Sequence, residues 1–218
     1  MDELELRVAW DHHVAVGASR AAADGWLDSL LARHREPHRR YHTVRHLRWV
    51  VRHVLDLAAS SAAAGRVDDL SAVVAAAFFH DAVYDPRSTG NEAASAALAE
   101  RALGELGWSD ARAGRVGACV RATADHAHAT DDDDDEAALD TAILLAADLA
   151  VLASDPAGYA EYVNGVRSEY THVSDDDWRR GRTAVLQAFL ERRAIYAPEL
   201  DLDAWERRAR ANLAAELA

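Results

Sequence analysis

The ten residues Leu70–Phe79 read LSAVVAAAFF and are apolar on nearly every face of a helix. A helix that is apolar all round has to be covered on all sides. The chain must therefore wrap other elements around this one. The rest of the sequence offers helices for the task. Ser19–Arg35 carries Trp26, Leu27, Leu30 and Leu31 at helical spacing, and Pro37 stops it. Further helices are expected over Tyr41–Ala59, over Asn91 to about Leu106, and over Asp110–His126. Four more are expected over Leu139–Ala153, from Pro156, over Asp175–Arg193 and over Leu200–Leu217. No period-two pattern persists, and 11 Gly with 4 Pro are too few for a turn-rich β protein. The expected class is all-α, with residues 1–218 forming one compact multi-helix bundle. Its motif-bearing core spans about 26–196, and the helix near 200–217 packs on it.

Charge removes several functions. The chain carries 37 acidic residues against 24 basic ones, a net charge of −13, and every basic residue is Arg. Nucleic-acid polymers and anionic membranes need a basic face, so neither is expected as a partner. The lone Cys119 cannot form an internal disulfide. The N-terminus, MDELELRVAWDHHV, lacks a signal peptide's basic and apolar regions, and no apolar run approaches the ~20 residues of a membrane span. A soluble, cytoplasmic protein is expected. The run Asp131–Asp135 reads as a solvated loop tip within a loop at 127–136. His12, His13, His34, His38 and His128 read as surface or loop residues.

The informative residues are polar groups stranded among apolar ones. The fully apolar helix ends in His80-Asp81. Burying an imidazole and a carboxylate is costly unless each finds a partner. Asp148 is the lone charge in LDTAILLAADLAVLA after Asp140, with Leu144, Leu145, Val151 and Leu152 as its helical neighbours. In the helix expected from Tyr41, at ~100° per residue, His42, His46 and His53 fall within about 40° of one another. His42 and His46 are four apart and point the same way. His53 alone reads as a packing residue. Three sites of similar chemistry on three helices point to one shared centre, built from His46, His80, Asp81 and Asp148. Imidazole plus carboxylate suits one divalent ion such as Mn, Fe, Co, Ni, Zn or Mg. Arg39, Arg40 and Arg45 lie close to His42 and His46 in sequence and are candidates to contact a substrate phosphate.

The order H … HD … D on an all-helical chain resembles the HD-domain superfamily of metal-dependent phosphohydrolases, and more closely its small bacterial branch. The matching stretches are EPHRRYHTVRHL (36–47), FFHDAVYDP (78–86), NEAASA (91–96), TADH (123–126) and ADLAVL (147–152). VRSEYTHV and WRRGRTAVLQAFLERRAIY, between 166 and 196, complete the series. The resemblance implies that His46, His80, Asp81 and Asp148 ligate the metal. Tyr41-His42-Thr43 … His46 also resembles the YHN-x-x-H stretch of cyclic-nucleotide phosphodiesterases, which makes His42 the candidate general acid. Thr43 stands where that pattern has Asn. Tyr84 stands where HD-x-x-H has its second His, so one ion is implied, with a second if Glu92 or His126 rebuilds its site. Glu92 is the candidate base, with Asp85 behind it, and His126 is a candidate for the phosphate or the second ion. Arg167 and Arg182 lie in the matching C-terminal stretches and are further phosphate candidates.

The implied activity is hydrolysis of a phosphomonoester or phosphodiester in a small molecule, a nucleotide among the options. Two alternatives stand beside it: a di-iron HD-type oxygenase, and a non-catalytic helical module that senses a nucleotide or binds a partner. Either a monomer or a homodimer suits the sequence.

Overall fold

The computed structural model describes residues 1–60, 62–126 and 137–218, so the acidic run Asp131–Asp135, His128 and the loop expected at 127–136 lie outside the described residues. The chain is all-helical, with no strand among those residues. Ten α-helices follow in order: α1 (Glu3–Ala9), α2 (Arg20–Arg33), α3 (Val44–Ala58), α4 (Leu70–Phe79), α5 (Asn91–Glu105), α6 (Asp110–Ala122), α7 (Ala137–Asp148), α8 (Pro156–Glu169), α9 (Asp175–Glu191) and α10 (Asp203–Leu217). A π-helical turn, Trp10–Val14, continues α1, and 3₁₀ turns lie at Leu149–Ala153 and Pro198–Leu200.

The apolar helix takes the central place its sequence demands. Every residue of α4 from Ala72 to Phe79 is buried. Helices α3, α5, α6 and α7 and the π-helical turn all pack against it. Its N-terminus is pinned by charge. The Asp69 side chain caps the first turn by accepting from Ala72 N–H at 3.0 Å. Arg112 of α6 grips the same carboxylate with two nitrogens, at 2.6 and 2.7 Å. Asp140 of α7, itself buried, accepts from the backbone N–H groups of Asp68 and Asp69. The C-terminus of α4 delivers His80 and Asp81, so position along this one helix fixes where the polar pair emerges.

Two local departures from the sequence reading have physical causes. Residues 3–14 form helix, an element the sequence reading did not assign. An Asp2/Glu5 capping box starts α1. Trp10 then buries completely, edge-on to Phe78 with centroids 5.1 Å apart, and donates from Nε1 to Ala23 O at 3.1 Å. The second departure is at α3, which begins at Val44 and not at Tyr41. Thr43 is its N-cap, with extended backbone and Oγ1 accepting from Arg45 N–H. His42 therefore lies outside the helix, and the expected alignment of His42, His46 and His53 on one helical face does not hold. His53 is half-buried, donates from Nδ1 to Trp49 O at 2.8 Å and lies against Trp49 and Trp205.

If α4 is the pillar of the core, truncating its central aromatic is costly. Phe78→Ala is expected to lower unfolding stability by about 3–5 kcal/mol in urea titrations. A loss below about 1 kcal/mol would show that the wrapping helices do not depend on it.

Candidate metal centre

Each ligand candidate arrives by a different local route. His46 is the third residue of α3, buried beneath the first turn. His80 is the C-cap residue of α4, 1% exposed. Asp81 follows it in the turn that ends the helix. Asp148 is the last α-helical residue of α7, where the backbone tightens into the 3₁₀ turn Leu149–Ala153. The expected single helix over Leu139–Ala153 thus changes winding at the functional carboxylate.

The four side chains meet. His46 Nε2 is 3.1 Å from His80 Nε2. Asp81 Oδ2 lies 3.3 Å from His46 Nε2 and 3.1 Å from His80 Nε2. Asp148 Oδ1 lies 3.2 and 3.6 Å from the same two nitrogens. Donor atoms held on one ion by bonds of ~2.0–2.2 Å sit about 2.9–3.4 Å apart, depending on geometry. The separations here, 3.1–3.6 Å, overlap that range. One ligand atom from each of His46, His80 and Asp148 lies within 4.8 Å of the others, and the three could hold a metal ion. Asp81 joins through its two contacts to the imidazoles.

Hydrogen bonding decides what those atoms offer. His80 Nδ1 is 2.9 Å from Ala77 O, an atom that can only accept. His80 therefore donates from Nδ1, and its neutral form turns the Nε2 lone pair towards the centre. His46 Nδ1 is buried with no partner in the protein, so nothing there competes for its Nε2. Two imidazole nitrogens and two carboxylate oxygens thus face one point. Without a cation or a bound proton between them, lone pairs would oppose one another. The electrostatics register the same demand. Burial alone would push His80 down, but the Asp81 and Asp148 carboxylates outweigh it and hold it well above the usual histidine range. Burial would raise Asp81, yet His80 and His42 hold it well below the carboxylate range. Asp148 is held down likewise against its burial, by His80, His126 and His46. The donor set fits a divalent cation.

Above the ligands opens a cleft of about 460 Å³, lined in part by His42, Asp81, Glu92, His126 and Asp148. His42 is oriented by a residue that the sequence reading did not single out. Its Nδ1 donates to Glu169 Oε2 at 2.6 Å, leaving Nε2 as its other polar atom. The Glu169 side chain is fully buried. Its Oε1 accepts three consecutive backbone N–H groups, from Arg40, Tyr41 and His42, at 2.6, 2.8 and 3.0 Å. Tyr84 OH donates to Oε2 at 2.8 Å. Glu169 thus holds the loop ahead of α3 and the His42 ring together.

His126 also reaches the centre, with Nε2 2.8 Å from Asp148 Oδ2. Its backbone is left-handed, φ 51°, a strained conformation for histidine. Arg192 of the α9 C-terminus holds that turn by donating to the carbonyls of His126 and Asp125 at 2.6 and 2.7 Å. Glu92, in the first turn of α5, lines the cleft and has no hydrogen bond or ion pair among the described residues.

Other candidates are placed elsewhere. Asp85 does not line the cleft; it caps its own turn by accepting from Arg87 N–H at 2.9 Å. None of the five candidate arginines lines it either. Arg39 is buried, donating to the carbonyls of His42, Asp81 and Ala82 and to Glu36. It fastens the two ligand-bearing turns together from behind. Arg40 bonds to the Pro37 and Arg39 carbonyls, and Arg45 pairs with Glu161. Arg167 is spent on Tyr170, Val173 and Asp175, and Arg182 on Glu216 and Tyr162. His34, expected at the surface, is 1% exposed, and burial pushes it down to about 3, so it packs as a neutral ring. No family model, curated protein or solved structure matches the chain.

The Glu169 carboxyl is held down to about 2 from 4.5; burial opposes this, and His42, the Arg40 N–H and Tyr84 outweigh it. A carboxyl depressed on folding contributes stability above its unfolded pKa, which is lost as pH falls through the folded one. Wild type should therefore lose stability between about pH 4.5 and 2 relative to Glu169→Gln. The variant should be about 1–3 kcal/mol less stable at neutral pH. Parallel stability–pH curves for the two proteins would contradict this arrangement.

Proposed function

We propose that this chain is a metal-dependent phosphohydrolase of the HD type, acting on a small phosphorylated molecule. The observation that carries the reading is the convergence of His46, His80, Asp81 and Asp148, two of which, Asp81 and Asp148, line a cleft that also holds His42 and Glu92. The order of these residues along an all-helical chain supports the family. The four would hold a divalent ion of the Mn, Fe, Co, Ni, Zn or Mg type, a choice the donor set leaves open. When bound, such an ion supplies Lewis acidity at a phosphoryl oxygen and makes water more acidic.

The chain's own residues then divide the proton work. Glu92, an unpaired carboxylate on the cleft wall, takes the proton of the attacking water. The new O–P bond forms as the ester P–O bond breaks. His42, in the doubly protonated form that the Glu169 carboxylate supports through Nδ1–H, gives its Nε2 proton to the departing oxygen and is left as the neutral Nδ1–H ring. A phosphomonoester yields an alcohol and inorganic phosphate, and a phosphodiester an alcohol and a phosphomonoester. The position of His126 on Asp148 Oδ2 also favours a second reading, in which His126 and Asp148 would help to hold a second ion. Two irons and O₂ consumption would identify that chemistry. Among the described residues no helix is long and apolar enough to cross a membrane. A cytoplasmic enzyme, monomeric or homodimeric, accords with this reading.

The test is phosphate release from phosphomonoesters, and alcohol release from phosphodiesters, by protein reconstituted with each divalent ion. Asp81→Ala should lose turnover by more than the ~10–100-fold typical of residues that merely support a ligand. Full activity in a folded Asp81→Ala protein would overturn the proposal.

A further inference from the structure

We infer that the cleft accepts substrates carrying a single phosphate on an uncharged remainder, and discriminates against polyphosphates. The inference rests on the phosphohydrolase reading and concerns what the cleft adds to it. Its lining includes three carboxylates, Asp81, Asp148 and Glu92, against two imidazoles, His42 and His126. Among the described residues no arginine lines it, and the chain contains no lysine.

Phosphate sites otherwise draw on guanidinium groups or on a helix N-terminus. The five candidate guanidiniums lie outside this lining; Arg40 and Arg45 line a separate pocket that also reaches His46. Arg87, beside the cleft residue Ser88, is exposed and outside the lining. The helix that begins at the cleft, α5, carries Glu92 in its first turn, and that carboxylate already occupies the favourable end of the dipole. A cation on His46, His80, Asp81 and Asp148 would provide for one phosphate. A second or third phosphate would meet Glu92 and hydroxyl-bearing side chains with no guanidinium or ammonium partner, His42 and His126 being the lining's cationic candidates. Ser88, Thr89, Asn91 and the phenols of Tyr84, Tyr162 and Tyr170 suit a neutral, hydroxyl-bearing remainder such as a sugar or nucleoside. Burial raises the Tyr170 phenol, which remains uncharged, while the Tyr84 hydroxyl gives its proton to Glu169 and can only accept from a substrate.

The experiment uses the full chain at fixed free Mn²⁺, with two matched pairs: AMP against ATP, and glucose 6-phosphate against glucose 1,6-bisphosphate. Turnover is followed by phosphate release and binding by calorimetry. Each monophosphate that is turned over should exceed its partner by at least ~10-fold in kcat/KM, and monophosphates should bind more tightly. Ser88→Arg, which places a cation in the lining, should narrow the gap at least threefold through the KM or Kd of the polyphosphate. Equal or better binding of ATP and the bisphosphate would overturn the inference, as would a Ser88→Arg protein with unchanged ratios. If none of the four is hydrolysed but the monophosphates bind more tightly, the charge inference stands and the hydrolase reading is what fails.

Discussion

Four lone-pair-bearing atoms, from His46, His80, Asp81 and Asp148, face one another at the end of a helix that is otherwise wholly apolar. In a low-dielectric interior this arrangement is unfavourable unless positive charge occupies its centre. The rest of the structure follows from meeting that condition. Helix α4 has to be buried for hydrophobic reasons, and burial carries His80 and Asp81 inward with it. Helix α3 and the end of α7 then supply the complementary ligands. The C-terminal end of α4 is also the negative end of its dipole, which favours a cation there.

A second polar network surrounds the first and gives the cleft its directionality. Glu169 gathers three backbone N–H groups, His42 and Tyr84 on one carboxylate, while Arg39 ties the carbonyls of His42 and Asp81 from behind. Together they hold the loop before α3 against the turn after α4. Arg192 does the equivalent work for His126 on the opposite wall. Each of these residues spends its charge on the main chain, which stiffens loops that would otherwise be free to move. The same economy leaves the cleft without a guanidinium of its own.

The centre itself was legible in the sequence because its members contrast with their neighbours. His80, Asp81 and Asp148 stand out within apolar runs, where a solvated explanation is poor. The supporting residues gave no such contrast. Glu169 ends a helix of mixed polarity and meets His42 from 127 positions away, so no spacing rule could pair them. Arg39 was a candidate for a substrate phosphate, yet it is buried on carbonyls that only the tertiary fold brings together. His42 was placed on a helix because periodicity does not reveal that Thr43 caps α3 and leaves His42 outside it. Helix α1 is too short for periodicity to declare, although its capping box was present in the sequence.

The most direct measurement of the central claim is metal content per chain, by elemental analysis, after reconstitution with a mixture of divalent ions. Wild type and Asp148→Ala would be compared, with circular dichroism to establish that both are folded. About one equivalent of a transition metal in wild type, lost in folded Asp148→Ala, is the predicted result. Folded wild type that retains no metal would contradict the account, because the buried nitrogens and oxygens would then be held together by protons alone.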